Sequence, residues 1–423
     1  MTGRRAAILI VIDGLTPSTF EQAVGDRSAP MLSLLAEAGE YRRGVTTFPS
    51  LTPVCLTSIA TGAHPDVHHI PHLVWWHRGE QRIVEYGSSF GAIRAAGARR
   101  ALRDTIVGMN QEHLSKHAET VFEAVDDAGL TAAAVNITCY RGRTRYLPTV
   151  PGIAPATFGP KRFFYYNLYE SDPAGAPLSV RNRAAGSIDD YAAAAGRWLV
   201  TRDGFDLLVY YLSDFDFASH VFGPDGARAA LERSDTAVRT LVEAAGGLDE
   251  FLDRYAVLLC SDHGQTHVQH AVDLQEHVRV GSTIVTASNR AGMIYTDDAR
   301  AAAAQLDGAD AVDAAFFLDD GDVVARRDGD EDPALLDEFP DGRERVTAAL
   351  RNPNAGEVLV SAARGWEFAD LAGSHHAGGG SHGSLIAGDS EVPMLGIGMP
   401  PPARTVDIKD ALLARLGVVR VAA

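Results

Sequence analysis

The stretch YAVLLCSDHGQTH, residues 255–267, decides the fold. From Tyr255 to Cys260 the run is apolar without alternation, the pattern of a strand buried on both faces. It then breaks into Asp262 and His263. Adjacent residues on a regular strand point to opposite faces, so these two can face one point only where the strand has ended. Gly264 permits that sharp departure.

Two other runs behave alike. AILIVID (7–13) and DLLVYYLSD (206–214) are apolar on both faces, and each ends in an aspartate. In sheets covered by helices, ligands gather beyond the carboxyl ends of the strands, so these acids are expected in one crevice. Aspartates also favour strand-to-helix turns for local reasons. Between the strands lie the Ala-rich helical segments SAPMLSLLAEAG (28–39), AETVFEAVDDAG (118–129) and SIDDYAAAAGRWLVTRDG (187–204). Each ends near a glycine, where a left-handed cap is expected. The alternation implies an α/β fold, an α/β/α sandwich around a central, mostly parallel sheet.

Residues 282–365 differ in character. They carry the acidic, loop-like DGDEDPALLDEFPDG, flanked by short strand-like pieces in AAFFLDDGDVVAR and GEVLVSAARG. They read as a smaller α/β lobe inserted as a cap, leaving 1–281 and 366–423 as the core. Residues 141–177, rich in Pro, Gly, Phe and Tyr, are expected to form loops beside the site.

The chain has 423 residues, 46% of them hydrophobic and 22% charged, as in ordinary globular proteins. Its formal charge of -17 opposes binding to nucleic-acid polymers or anionic membranes. A small phosphorylated substrate stays compatible, because metal ions invert the field inside a cleft. Cys55, Cys139 and Cys260 are widely spaced and form no CxxC pair, which favours a reducing compartment. The opening MTGRRAAILIVIDG superficially resembles a secretion signal. Its apolar run ends at Asp13 without a small-residue cleavage site, so it reads as the first core strand. No run approaches the ~20 residues that cross a bilayer. A cytoplasmic protein without a membrane span is the expectation.

Four pieces carry chemistry. In FPSLTPVCLTSIATGAHP (48–65), Thr52 before Pro53 marks a helix start, with threonine as the N-cap and Gly62 as the stop. A hydroxyl there sits in a positive field that stabilises an alkoxide or a phosphate. A plain capping threonine has the same signature. In YYLSDFDFASHVFGP (210–224), Asp216 and His220 are four apart and share one helical face, with Asp214 as a competing ligand. A solvated helix face explains such spacing equally well. The third piece is Asp262-His263-Gly264, followed by His267 and His270, which read as outlying. The fourth is GSHHAGGGSHGSLIAGDSEVPMLGIG (373–398), where small residues leave His382 room and His375 and His376 are rivals.

As an ordered set these pieces resemble the alkaline phosphatase superfamily, especially its type I phosphodiesterase/nucleotide pyrophosphatase branch. The matching elements are Asp13-Gly14, Thr52 within FPSLT, Thr61-Gly62, Asp216 and His220 before Gly223-Pro224, Asp262-His263-Gly264 and His382-Gly383. The resemblance implies two divalent metal ions, zinc first and manganese second. It assigns Asp13, Thr52, Asp262 and His263 to one ion, and Asp216, His220 and His382 to the other. The implied reaction is hydrolysis of phosphodiester or pyrophosphate bonds, with Thr52 attacking phosphorus and water then cleaving the phospho-threonine. Phosphomonoester or phosphonate hydrolysis on the same core, or phosphosugar mutase chemistry, are the alternatives.

One departure stands out. These phosphodiesterases place a phosphate-binding asparagine where this chain reads HHIPHLVW (68–75), with Leu73 or His72 at that point. Leucine cannot donate a hydrogen bond and histidine can. His72, Arg141 and Arg143, with Arg145 beside them in CYRGRTRY, are therefore substrate-binding candidates, arginine because its fork grips phosphate. Cys55 invites comparison with sulfatases, but their CxPxR pattern is absent. FFYYNLY (163–169) and WW (75–76) suit either core packing or the organic part of a substrate.

Overall fold

Strand Ala6–Ile12 lies inside an eight-stranded sheet, because its two faces are equally apolar and each has a helical layer to meet. Ile8, Ile10 and Ile12 pack on one side, against helices Pro17–Gly25, Pro30–Ala38, Ile188–Thr201 and Arg228–Ala245. Ala7, Leu9 and Val11 pack on the other, against Thr52–Thr61, Val121–Asp127 and Ile408–Arg415. The computed structural model describes residues 6–152, 154–171, 187–202 and 204–418.

The strand order across the sheet is Glu40–Val45, Glu391–Ile397, Tyr255–Cys260, Ala6–Ile12, Leu207–Leu212, Ala132–Val135, Arg162–Tyr165 and Tyr169–Glu170. The strands from Tyr255–Cys260 through Arg162–Tyr165 run parallel, and antiparallel strands close both edges. Ala7 pairs with Leu207 and Ala6 with Tyr255. This register brings the ends of the three diagnostic strands to one edge of the sheet. The expected α/β/α sandwich is the architecture found.

A separate lobe is built on a six-stranded antiparallel sheet, ordered Ile284–Ser288, Ala291–Tyr295, Val358–Ala362, Val312–Asp319, Asp322–Arg327 and Asp330–Glu331. Its root is a buried ion pair, Arg290 Nη1 to Asp389 Oδ1 at 2.9 Å, which ties the first hairpin of the lobe to the core. Asp389 also accepts from Ser384 N and Oγ, so the buried charges are hydrogen-bonded as well as paired.

Two expectations need correction. Gly129 is left-handed at φ 78, but Gly39 is extended (φ -128, ψ -175), because the chain runs directly from its helix into strand Glu40–Val45. The segment from Arg141 is not all loop: Arg162–Tyr165 joins the main sheet beside Ala132–Val135, its apolar residues filling both cores. Positions 172–177 of that segment, and residues 1–5 ahead of the first strand, lie outside the described residues.

Candidate active site

Asp13 follows strand Ala6–Ile12, Asp216 lies in the first turn of helix Asp214–Phe222 after strand Leu207–Leu212, and Asp262 and His263 follow Tyr255–Cys260. The parallel register therefore carries all four to one place. Thr52 is the first residue of helix Thr52–Thr61 and not its cap: the cap is Leu51, which makes no side-chain capping bond. The hydroxyl is thus free of local duty, and it lies 3.0 Å from His263 Nε2. Gly62 ends the helix in the left-handed conformation, as the sequence implies (φ 64).

Two sets of ligating atoms converge, Asp216 with His220 and His382, and Asp13 with Asp216 and His263; within each set the atoms lie within 4.8 Å of one another. His220 Nε2 is 3.3 Å from Asp216 Oδ2, and His382 Nε2 is 3.8 Å from Asp216 Oδ1. His263 Nε2 is 3.2 Å from Asp13 Oδ1 and 3.5 Å from Asp262 Oδ2. The rings of His263 and His382 stack at 3.6 Å. The Asp216 carboxylate stands between the two sets, a position that sequence spacing does not reveal.

The donor set fits a pair of divalent cations. The Nδ1 atoms of the three imidazoles are tied to backbone carbonyls: His220 to Gly380 O at 2.9 Å, His263 to Gly264 O at 3.0 Å and His382 to Ser50 O at 2.8 Å. Each Nε2 is left facing inward, the arrangement that orients histidines toward a metal. Asp13 Oδ1 and Asp262 Oδ2 are buried without a hydrogen-bond partner, which is costly unless a cation claims them. Carboxylate, imidazole and hydroxyl together suit zinc or manganese.

The electrostatics agree. Burial, and then the neighbouring Asp13, raise the Asp262 carboxyl well above the usual carboxylate range. Burial opposes charging of His263, yet Asp262 and Asp13 push it up to about 10. Burial works against the Asp216 anion too, but His220 holds it below its usual range and is itself raised by Asp216 after the same desolvation. His382 is lowered far below the usual value by burial and then by His263. The acids demand positive charge, and divalent ions meet that demand without protonating the imidazoles.

The site opens into a cavity of about 540 Å³ lined by Asp13, Thr52, Asp216, His220 and His382, and farther out by Leu73, Tyr86, Ile106, Met109, Tyr165, Tyr166, Leu168, Phe217 and Val221. No lysine or arginine is among the described residues lining it.

The three substrate-binding candidates are not brought there. His72 is fully buried, its Nε2 3.2 Å from Ala291 O and its Nδ1 accepting from Val74 N at 3.1 Å. Both ring nitrogens are spent on holding a loop against the lobe. Arg141 spends its guanidinium on Glu123 and on the carbonyls of Leu114, Ser115 and Ala118. Arg143 pairs with Asp127 and Glu123 on the surface, and Arg145 is exposed. Asp214 accepts from Ile188 N and Arg233 Nε, which removes it as a ligand. His267 pairs with Asp225 at the surface, and His270 packs against Trp366. Cys55 is buried beside Thr47 O and Pro49 O and does not line the cavity. Tyr165, Tyr166 and Leu168 of the aromatic stretch do line it, whereas Trp75 is core.

Three residues of the site, Tyr211, Gln265 and Asn289, escaped sequence reasoning, and a fourth, His376, entered it only as a rival of His382. Tyr211 Oη donates to Asp13 Oδ2, and Gln265 Nε2 donates to Asp216 Oδ1 at 2.8 Å. His376, one of the rivals named above, stacks on His220 at 4.0 Å and binds the buried Glu367 through Nδ1 at 3.0 Å. Asn289 projects from the lobe hairpin to 3.1 Å from His382 Nε2. The sequence held a weak signal for Tyr211 alone: it stands within the apolar strand that ends at Asp214. A further grouping, Asp104, Glu112 and His113, is engaged elsewhere, with Arg82, Arg103 and Tyr86.

Comparison with known proteins bears on the fold and the family. Phosphonoacetate hydrolase from Sinorhizobium meliloti 1021, in complex with phosphonoformate, is 18% identical, with TM-score 0.65 over 98% of this chain and 96% of that one. Murine ectonucleotide pyrophosphatase/phosphodiesterase 5 is 13% identical, with TM-score 0.65 over 99% and 96%. Its inactive variant in complex with AMP is 12% identical, with TM-score 0.64 over the same shares. No curated protein matches. These likenesses establish the fold. The ordered ligands and the threonine that the fold gathers fall within a match over residues 7–385, and by it the chain belongs to the type I phosphodiesterase / nucleotide pyrophosphatase family.

Proposed function

We propose that the chain is a metal-dependent hydrolase of phosphodiester or pyrophosphate bonds that works through a phospho-threonine on Thr52, in a core of residues 1–281 and 366–423 with 282–365 as an inserted cap. One observation carries the reading: the hydroxyl of Thr52 stands 3.0 Å from His263 Nε2, which belongs to one of two convergent sets of carboxylates and imidazoles that share Asp216. Asp13, Thr52, Asp262 and His263 would hold one ion and Asp216, His220 and His382 the other, with Asp216 near both. Two such ions, zinc for preference, would supply the Lewis acidity that makes a bound hydroxyl more acidic. Thr52 then attacks phosphorus and the alcohol or nucleotide leaves. Water cleaves the phospho-threonine in a second in-line step. Tyr211 and Gln265 orient the Asp13 and Asp216 carboxylates through their hydrogen bonds.

The cavity favours a diester over a monoester. A monoester or a carboxylated phosphonate brings a second negative charge, and no lysine or arginine among the described lining residues meets it. A diester brings one charge and two organic arms, and the lining beyond the ions is mostly apolar and aromatic. The test is kcat/KM of the zinc-loaded protein on a bis-aryl diester and on an aryl monoester. The diester is expected to win; a strong monoester preference, or transfer of phosphate within a phosphosugar, would overturn the reading.

A further inference from the structure

The family's phosphate-binding asparagine has no counterpart in HHIPHLVW. The structure shows why that segment is no substitute: both ring nitrogens of His72 are engaged, and Leu73 presents only carbon to the cavity. Yet a phosphoryl group between the two ligand sets has oxygens that need donors. Among the lining donors, Tyr211 Oη is committed to Asp13 and Tyr86 Oη is paired with His113, while the hydroxyls of Thr138 and Ser213 are buried without a partner. We infer that Asn289, carried on the lobe hairpin between strands Ile284–Ser288 and Ala291–Tyr295, supplies the missing amide and hydrogen-bonds a phosphoryl oxygen of the substrate. This rests on the function proposed above.

Its placement is what such a role requires. Asn289 lines the cavity but is only 5% exposed. It is joined to the nucleophile by an unbroken series of contacts. Thr52 Oγ1 is 3.0 Å from His263 Nε2, the His263 ring stacks at 3.6 Å on His382, and His382 Nε2 is 3.1 Å from Asn289 Nδ2. The side-chain oxygen is already taken, since Ser288 Oγ donates to Oδ1 at 2.8 Å, and this turns the nitrogen toward the cavity. An amide nitrogen carries two N–H donors, and one at most meets His382. Were His382 to hold an ion through Nε2, that contact would be given up and both donors would be free for the substrate.

The hairpin is clamped accordingly. Phe368 N donates to Asn289 O at 2.6 Å, and Arg290 N donates to His382 O at 2.8 Å. Asn289 is left-handed (φ 57), a conformation that asparagine tolerates better than most residues and that persists only where its surroundings enforce it. The lobe would then contribute a group to the reacting centre.

The test uses the zinc-loaded 423-residue chain and orthovanadate, a tetrahedral anion that expands toward the geometry of phosphoryl transfer. Vanadate affinity is measured by calorimetry, with metal content and thermal unfolding followed in parallel. N289A is expected to weaken vanadate binding about 10–100-fold, as for loss of a buried hydrogen bond to a charged group. N289D, which keeps the shape but loses the N–H donors, should weaken it at least as much. Both should retain the wild-type metal content. Vanadate affinity unchanged in both variants would overturn the inference, as would loss of an ion from either, or a wild-type protein that binds no vanadate. If wild type hydrolyses no phosphoester, the proposed function fails separately, while the vanadate titration still decides the place of Asn289.

Discussion

Gly14 offers a sharp test of the site's geometry. It follows Asp13 in the left-handed conformation (φ +68), and its N–H donates to Asp262 Oδ1 at 3.3 Å. A Cβ added there would lie 2.8 Å from Asp216 Oδ1 and 3.2 Å from Asp216 Cβ. Gly14→Ala thus meets two costs. An L-residue in this region costs about 1–2 kcal/mol. Pushing the Asp216 carboxylate aside in a packed interior costs about 1–3 kcal/mol more. Because Asp216 stands between the two ligand sets, a shift of a few tenths of an ångström misplaces both. A loss of roughly 10–100-fold in kcat/KM on a bis-aryl phosphodiester is expected, since small misplacements of reacting groups carry penalties of that order. Metal content by elemental analysis should fall below two per chain, and the unfolding midpoint should drop. Gly25→Ala is the control: its added methyl meets nothing within 4 Å, so kcat/KM and metal content should stay at wild type and the midpoint should not fall. Gly14→Ala with wild-type midpoint, metal content and kcat/KM would refute the placement of Asp216.

Other outcomes follow from the same contacts. Arg290→Met strands Asp389 as an uncompensated buried acid and should cost about 3–5 kcal/mol in chemical denaturation. Gln265→Ala, which removes the 2.8 Å bond to Asp216, should lower zinc affinity about 10–100-fold, read by chelator competition. Dialysis against a chelator should abolish diester hydrolysis, and zinc or manganese should restore it. Asp189 accepts bonds from Ser213 N, Asp214 N and Ser234 Oγ, and burial and then Asp214 push its carboxyl up from 3.8 to about 7. Since the folded value lies above the unfolded one, its stabilising contribution is complete below pH 4 and is lost as pH rises through 7. Asp189→Asn should therefore flatten the decline of stability between pH 4 and 7.5, by at most about 4 kcal/mol.

The fold was legible because three strands apolar on both faces admit few arrangements other than a covered parallel sheet. The side chains that converge at the candidate site were legible because they stood on local signals: an aspartate at a strand end, a DxxxH on one helical face, a threonine before Pro53. What stayed hidden depends on where distant segments meet. The sequence of CYRGRTRY says nothing of Glu123, which neutralises Arg141 and Arg143 from helix Val121–Asp127. His72 reads as an available donor until the lobe's Ala291 carbonyl is seen against it. Asn289, in TASNRAG, is indistinguishable from an ordinary hairpin-tip residue until the lobe is docked against His382. Thr52 was read as a cap, whereas Leu51 takes that position and leaves the hydroxyl unengaged.

The most direct measurement is kcat/KM of Thr52→Ala, zinc-loaded, on the bis-aryl diester, with its metal content determined on the same sample. A loss of roughly a thousandfold or more is expected, with the protein folded and both ions nearly retained. Turnover at the wild-type rate in a folded, metal-loaded Thr52→Ala protein would contradict the claim that this hydroxyl is the nucleophile.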